Sequence, residues 1–459
     1  MAAFSNSTRR LCFLLAMAFA LAVGLPCAWA AEAPGEVRLS DEEGLALAAT
    51  LYNRGEREAA ERVYGLLLQS GQPEISVEAA FLLSQIYVSR EDYNQAIALL
   101  TGILNRFPGL ARVRLELARA YFLNENWDDA RFHFELVKGG QNIPPGVAAN
   151  VDMFLREIRR KKNWSLEVGF GYVPDSNLNQ ASGITEECID TSMGLLCRAV
   201  DGKKSGHGAR LNVTGNYYWK LSQNVGIRST LGLYLTEYGR GEYDDYILYA
   251  AGGPRILFGN SEASLQATFQ RRVYGGESYG ESPGLRFDMQ NDFGRFILAS
   301  GASFRQNNYA REAVDAALQG NEYRAYLMPR FIVTSRSYVQ AGLDYTRDET
   351  ALDPYGSDRR RFSLGGYYFF KHGFSLFVEG GLTRADYHAG QWYVTDDYRL
   401  DYTRRQDLIK EATVELSTNI WEGLGMRPTL QYTYIRQGSN IWSHEYDRHR
   451  INLLTTFRF

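Results

Sequence analysis

From about Asn163 to the terminal Phe459 the chain reads as one long succession of strands, and that run restricts the fold more than any other feature. Val225, Ile227, Leu231, Leu233 and Leu235 fall on one face, with Gly226, Arg228, Thr230, Tyr234 and Thr236 opposite. The alternation returns at Leu211–Trp219, against Arg210, Asn212, Thr214 and Asn216, and at Ala263–Phe269, against Ser264, Gln266, Thr268 and Gln270. Period two places successive side chains on opposite faces of a strand. A soluble sandwich alternates too, but here the polar face carries Arg, Glu and Gln, and no helical stretch is left over to cover the apolar one. In a bilayer every backbone polar group must be paired within the sheet. A closed barrel with lipid outside and water inside satisfies both faces.

The chain has 459 residues, room for more than one domain, and a net charge of -3 gives no pull toward nucleic acid. Aromatic residues make up 13%, with 30 Tyr, which suits the interfacial girdles of an outer-membrane barrel. A mean hydropathy of -0.32 excludes a bundle of membrane helices. Residues 1–30 read as a signal peptide: Arg9 and Arg10, the apolar Leu11–Leu25, and the small-x-small site Ala28-Trp29-Ala30. A linker, 31–39, follows. After cleavage only Cys188 and Cys197 remain, nine apart in one expected loop, where an oxidising compartment would bond them.

From Ser40 to Lys162 the period turns helical. Ser40-Asp41-Glu42-Glu43 is a capping box. Leu83, Ser84, Tyr87, Ala96 and Leu100 then superpose on Leu117, Ala118, Tyr121, Ala130 and Phe134 at a spacing of 34, the tetratricopeptide period. Leu45–Leu68 reads as an earlier copy and Val147–Lys162 as a terminal capping helix. Such repeats present a concave groove to a partner. The expected groove positions are Glu78, Phe81, Gln85 and Val88, then Arg112, Leu115, Arg119 and Phe122. Each of these also reads as an ordinary packing or solvated helix residue.

In the back domain, 163–459, short connections (Leu221–Asn224, Phe258–Ser261, Phe293-Gly294, Val333–Ser335, Lys371–Gly373, Ile420–Leu424) alternate with longer ones (Pro174–Gly206, Gly239–Asp244, Gly276–Pro283, Asn308–Leu318, Asp348–Ser357, His388–Tyr402, Gly438–Glu445). Short turns on one side and long loops on the other are the outer-membrane habit, and the count is about fourteen strands. The fold class is therefore an N-terminal tetratricopeptide α-solenoid followed by an antiparallel transmembrane β-barrel. The last strand ends on Phe457 and Phe459, a pattern that resembles the signal read by the outer-membrane insertion machinery.

No enzyme is read here. His444 and His449 lie five apart in a loop running into a strand, unlike the helical zinc motif they superficially suggest. Gly202-Lys203-Lys204-Ser205 lacks the upstream Gly of a phosphate loop. Asp244-Asp245 and Asp396-Asp397 are neighbours whose side chains would point to opposite faces of a strand. The expectation is no catalytic residue, no cofactor and no metal.

The opening of the barrel, Trp164–Pro174 continuing into Asp175-Ser176-Asn177-Leu178-Asn179, resembles the first strand and loop of the surface lipoprotein assembly modulator family, also called type XI secretion outer-membrane proteins. The run Asp175, Ser176, Asn177 and Asn179 is its most specific piece, and it reads equally as a turn cap. The resemblance implies delivery of lipoproteins, or of secreted proteins such as haemophores, across the outer membrane of a Gram-negative cell. The helical domain would then stand in the periplasm and engage the client or a chaperone. Arg228, Gln266, Arg324, Glu379 and Glu415 would line a hydrated path. Partners would be the client, a periplasmic chaperone, the insertion machinery and the lipid bilayer. Two alternatives stay open. One is a polysaccharide-export porin, which a lumen of matched acidic and basic residues would favour. The other is a surface binding or adhesion barrel whose loops grip a ligand.

Overall fold

The computed structural model describes residues 39–140, 143–421 and 426–459. The expected signal peptide 1–30, the linker before Leu39 and most of the turn at Ile420–Leu424 lie outside the described residues.

Three helix pairs and a closing helix come first: α1 (Asp41–Asn53), α2 (Arg57–Leu67), α3 (Pro73–Ser89), α4 (Tyr93–Arg106), α5 (Ala111–Leu123), α6 (Trp127–Val137) and α7 (Pro145–Lys161). The capping box is formed: Glu43 N–H donates to Ser40 Oγ at 3.3 Å, and Ser40 N–H to the Glu43 carboxylate at 2.8 Å. Where each helix pair turns, Gly55, Glu91 and Glu125 hold the same left-handed backbone (φ 84°, 65° and 60°). The small residues Ala60, Ala96 and Ala130 sit buried at the crossings, and Leu100, Leu117 and Phe134 fill the core between successive pairs.

Fourteen strands then close into an antiparallel barrel. They are β1 (Trp164–Asp175), β4 (Gly206–Lys220), β5 (Val225–Tyr238), β6 (Asp245–Phe258), β7 (Ser261–Tyr274), β8 (Glu277–Phe293), β9 (Phe296–Tyr309), β10 (Gly320–Thr334), β11 (Ser337–Thr350), β12 (Ser357–Phe369), β13 (Phe374–Val394), β14 (Leu400–Thr418), β15 (Met426–Ser439) and β16 (Tyr446–Arg458). A separate hairpin, β2 (Glu186–Thr191) with β3 (Gly194–Ala199), stands in the loop after β1, and a short α8 (Glu312–Leu318) lies between β9 and β10. Outward positions are apolar and uncovered, among them Leu231, Leu265, Leu285, Leu343, Leu364 and Leu453. Their sequence neighbours turn to the lumen, where Arg228, Gln266, Arg324, Glu379 and Glu415 take their alternate places.

Two expected loops are strand instead. Gly276–Pro283 belongs almost entirely to β8, which starts after a tight turn at Gly275-Gly276, both at positive φ (61° and 79°). Most of His388–Tyr402 extends β13 and β14. Polar residues there signal water, and the hydrogen-bond ladder continues past the point where side chains leave the lipid.

Closure occurs between β1 and β16, with Val168 opposite Phe457 and Gly171 opposite Leu454. A Cβ at Gly171 would lie 2.0 Å from the Leu453 carbonyl oxygen, so only glycine fits. At Gly215 on the next strand the nearest atom is a Leu166 methyl at 3.9 Å. Gly171→Ala is expected to reduce the fraction of protein migrating as a folded, heat-modifiable barrel on electrophoresis, while Gly215→Ala leaves it unchanged.

Candidate functional site

The helical unit is seated in the end of the barrel that carries the short turns. α6 drives this seating because it has two apolar faces. Ala130, Phe134 and Val137 pack on Tyr121, Val151, Leu155 and Ile158 of the helical core. The opposite face packs on barrel side chains: Leu136 clusters with Ile297 and Ile332, and Phe132 meets the Tyr367 ring edge-on at 5.7 Å. Between these two faces α6 also buries polar side chains, His133 and Glu135. Directly after it, Gly139 approaches the wall so closely that a Cβ would stand 2.5 Å from the Thr334 carbonyl oxygen.

Polar bonds fix the seat on several sides. Lys138 Nζ lies 2.8 Å from Asp292 on β8 and 2.8 Å from Asp152 on α7, with Lys138 and Asp292 almost fully buried. Arg255 forks onto Glu262 at 2.8 Å through two nitrogens and donates to the Arg159 carbonyl at 3.2 Å. Arg295 donates to the Gly139 carbonyl, Ser335 to the Gly109 carbonyl, and Asn419 to Asn105. Arg156 reaches Asn260, and Arg427 approaches Asp129 at 3.6 Å. These partners come from turns and strand ends spread around the barrel, so the seated unit covers the mouth.

Burial also decides charge states in the seat. Desolvation holds the His133 imidazole well below its ordinary range, and Arg114 and Arg427 add to the effect. Arg114 approaches His133 Nδ1 at 3.0 Å. Because guanidinium only donates, Nδ1 is the acceptor and the ring is neutral. Desolvation raises the Glu135 carboxyl, with Arg131 and Arg330 opposing. For Arg131 burial works against the charge, yet Glu262, Asp128 and Glu135 outweigh it.

Within the barrel lies a cavity of about 640 Å³ lined by Arg286, Glu322, Arg324, Asp344, Arg361 and Glu379 among others. Its charges are matched across strands: Arg305 with Glu322 at 2.6 Å, Arg324 with Asp344 at 2.5 Å, and Arg361 with both Glu379 and Glu411 at 3.1 and 3.0 Å.

The run Asp175-Ser176-Asn177-x-Asn179 builds a joint at the opposite rim. Buried Asp175 accepts from Arg448 Nε and an Nη of the same fork at 2.9 and 2.6 Å, and from Asn177 N–H at 3.0 Å. Asn177, wholly buried, donates to the carbonyls of Ala181 and Asp447 and accepts from Ala181 N–H. Ser176 accepts from His449 N–H, and Asn179 pins Gly202 and Lys204. These side chains fasten β1 to β16 and fold the following loop, so the turn-capping role is realised and extended to barrel closure.

The structure places the other expected site residues as follows. Phe81 is buried, with the Arg112 guanidinium 4.1 Å above its ring, and Phe122 packs on Trp127 and Phe154. Phe81 and Phe122 are therefore largely packing residues, because the aromatic bulk that marked them fills gaps between helices. Gln85, Arg112 and Arg119 are exposed and Val88 and Leu115 half-buried. Cys188 and Cys197 are bonded, their Cα atoms 4.0 Å apart. Phe457 stacks on Phe170 and Phe459, and Phe459 exchanges backbone hydrogen bonds with Leu166. Sequence reasoning missed Phe132, Leu136 and Lys138, although two apolar stripes on one short helix were a legible signal.

Residues 164–459 match the family model described as surface lipoprotein assembly modifier, and residues 87–138 match a tetratricopeptide repeat model. Surface lipoprotein assembly modifier 1 of Haemophilus influenzae is 23% identical over 354 residues, covering 74% of this chain and 69% of the relative. The surface lipoprotein assembly modifier of Pasteurella multocida is 23% identical over 409 residues, covering 81% and 75%. The hemophilin secretion modulator of Acinetobacter baumannii is 23% identical over 368 residues, covering 75% and 71%.

Removing Lys138 strands Asp292 in a buried site, a loss of about 3–5 kcal/mol for breaking such a pair. In purified protein, Lys138→Ala should make the helical unit far more susceptible to limited proteolysis. The same assay should show a pH dependence. His133 is neutral in the folded helical unit but takes a proton when the unit unfolds at pH below its ordinary value of 6.5. Its contribution to the stability of the unit is therefore lost progressively as pH falls below that value. His133→Gln should flatten that acid limb.

Proposed function

The chain belongs to the surface lipoprotein assembly modifier family, and we propose that it delivers particular proteins, lipidated or secreted, to the cell surface through or along its outer-membrane barrel. The role is non-enzymatic. The observation that carries the reading is the family match across the whole barrel, supported by relatives named for surface lipoprotein assembly and for hemophilin secretion. In this reading the helical unit stands in the periplasm, and its exposed Gln85, Arg112 and Arg119, with Val88 and Leu115, meet a client segment or its chaperone. Phe81 and Phe122 shape that surface from beneath. Because α6 occupies the mouth, a client using the lumen must displace it. Loss of the Lys138–Asp292 pair and of the Leu136 contacts is the step the client's binding has to compensate. Phe457 and Phe459 serve as the address for the chain's own insertion.

The matched arginine and carboxylate pairs of the lumen favour a second reading, export of a polysaccharide, since paired charges offer hydroxyl groups many polar contacts. The two readings separate in one comparison. Intact cells with and without the gene are shaved with protease, and surface proteins and polysaccharide are both measured. Delivery predicts loss of one or two surface proteins, retained in the periplasm, with polysaccharide unchanged. Altered polysaccharide with an unchanged protein profile contradicts delivery. A chain lacking residues 40–162 should insert its barrel yet fail to restore the missing proteins.

A further inference from the structure

The hairpin β2–β3 stands at the rim opposite the helical seat. Its disulfide joins residues that face each other directly across the two strands. Thr191 and Gly194 flank a two-residue turn, with Gly194 at φ 107°. Hydrogen-bonded and non-bonded pairs alternate along an antiparallel ladder. Counting from the turn, Thr191/Gly194, Ile189/Leu196 and Glu187/Arg198 are the bonded pairs, continued by Val200 N–H to the Thr185 carbonyl at 2.9 Å. Leu195, Cys197 and Ala199 therefore turn their N–H and C=O groups away from β2.

On the β2 side the outward edge is taken. Asp190 N–H donates to the Tyr398 carbonyl at 2.8 Å, tying the hairpin to the turn between β13 and β14. Among the described residues no hydrogen bond is made by the outward groups of β3. All six residues of β3 are exposed. Native edges are usually guarded by charge or proline. The one charge on β3, Arg198, is drawn across to Glu187 at 2.8 and 2.5 Å, while Met193, Leu195 and Leu196 are 95%, 55% and 67% exposed.

An open row of main-chain donors and acceptors is complementary to one chemistry, an extended polypeptide segment. The exposed leucines select apolar side chains on it, and the disulfide keeps the strand ordered beforehand, which lowers the entropy lost on binding. The hairpin's place at the outer rim, held to the β13–β14 turn, puts that edge beside the exit of the lumen. We propose that β3 takes an extended segment of the emerging client as a third strand. This rests on the delivery reading.

The test uses the full chain in cells, with the surface protein whose display depends on it as the probe. A photo-crosslinking residue replaces Leu195 or Ala199, and in a control Asp190, whose backbone lies on the occupied edge. The expected result is an adduct with that surface protein from the first two positions and loss of it at the control. Leu195→Pro removes an outward N–H without touching the bonds between β2 and β3. It should abolish the adduct from Ala199 and reduce display. Should thiol labelling show that this variant fails to form its disulfide, Leu195→Lys, which guards the edge with a charge, is read instead. Intact display with no adduct, or an adduct only with a second copy of this chain, overturns the proposal and leaves delivery standing. If no surface protein depends on the chain, delivery itself falls and takes this proposal with it.

Discussion

The requirement that every backbone N–H and C=O be paired inside a bilayer governs this structure. Fourteen strands meet it only because the first and last join, so the β1–β16 seam is where the constraint presses hardest. The chain answers with Gly171, which lets the two backbones come together, and with the Asp175–Arg448 fork at the rim. Asn177 then ties the following loop to the carbonyl of Asp447 beyond the seam. The most specific piece of the family resemblance is thus a closing device, and its chemistry is that of a buried, fully paired polar joint.

A closed barrel has two mouths, and the chain treats them differently. At one end the turns are short enough for a helical unit to settle against the wall, with α6 packed on apolar wall residues and paired through Lys138 to Asp292 and through Asp129 to Arg427. At the other the strands of β13 and β14 run on beyond the lipid, and a disulfide-bonded hairpin leans on them. The asymmetry gives the molecule a covered mouth and an exposed rim, which is what one-way delivery of a chain would call for.

Much of this was legible in the sequence. Period-two alternation fixed inward Arg228 and Gln266 and outward Leu231 and Leu265, because side-chain direction in a strand depends on little else. The 34-residue spacing located Ala96 and Ala130, whose smallness the helix crossings demand. The limits are just as physical. Polar stretches such as Gly276–Pro283 looked like loops because composition reports solvent, while strand pairing depends on a neighbour elsewhere in the chain. Phe81 and Phe122 looked like groove residues because an aromatic side chain in a repeat is the same letter whether it faces a partner or the next helix. The seat itself joins Leu136 to Ile332 and Lys138 to Asp292, contacts between two separately patterned domains that no local periodicity encodes.

A client that leaves through the lumen can pass this mouth only if the seated helical unit moves. A reversible tether holds the unit in place and shows whether display depends on that movement. Leu136→Cys and Ile332→Cys, whose native side chains pack together, would join α6 to the wall when oxidised. The oxidised double variant is expected to insert normally but to display no client. Reductant should restore display, under conditions that leave the parent chain's display unchanged despite its own Cys188–Cys197 bond. Full display from the locked, oxidised protein would send the client by a route that never crosses this mouth and leave the helical seat without a part in delivery.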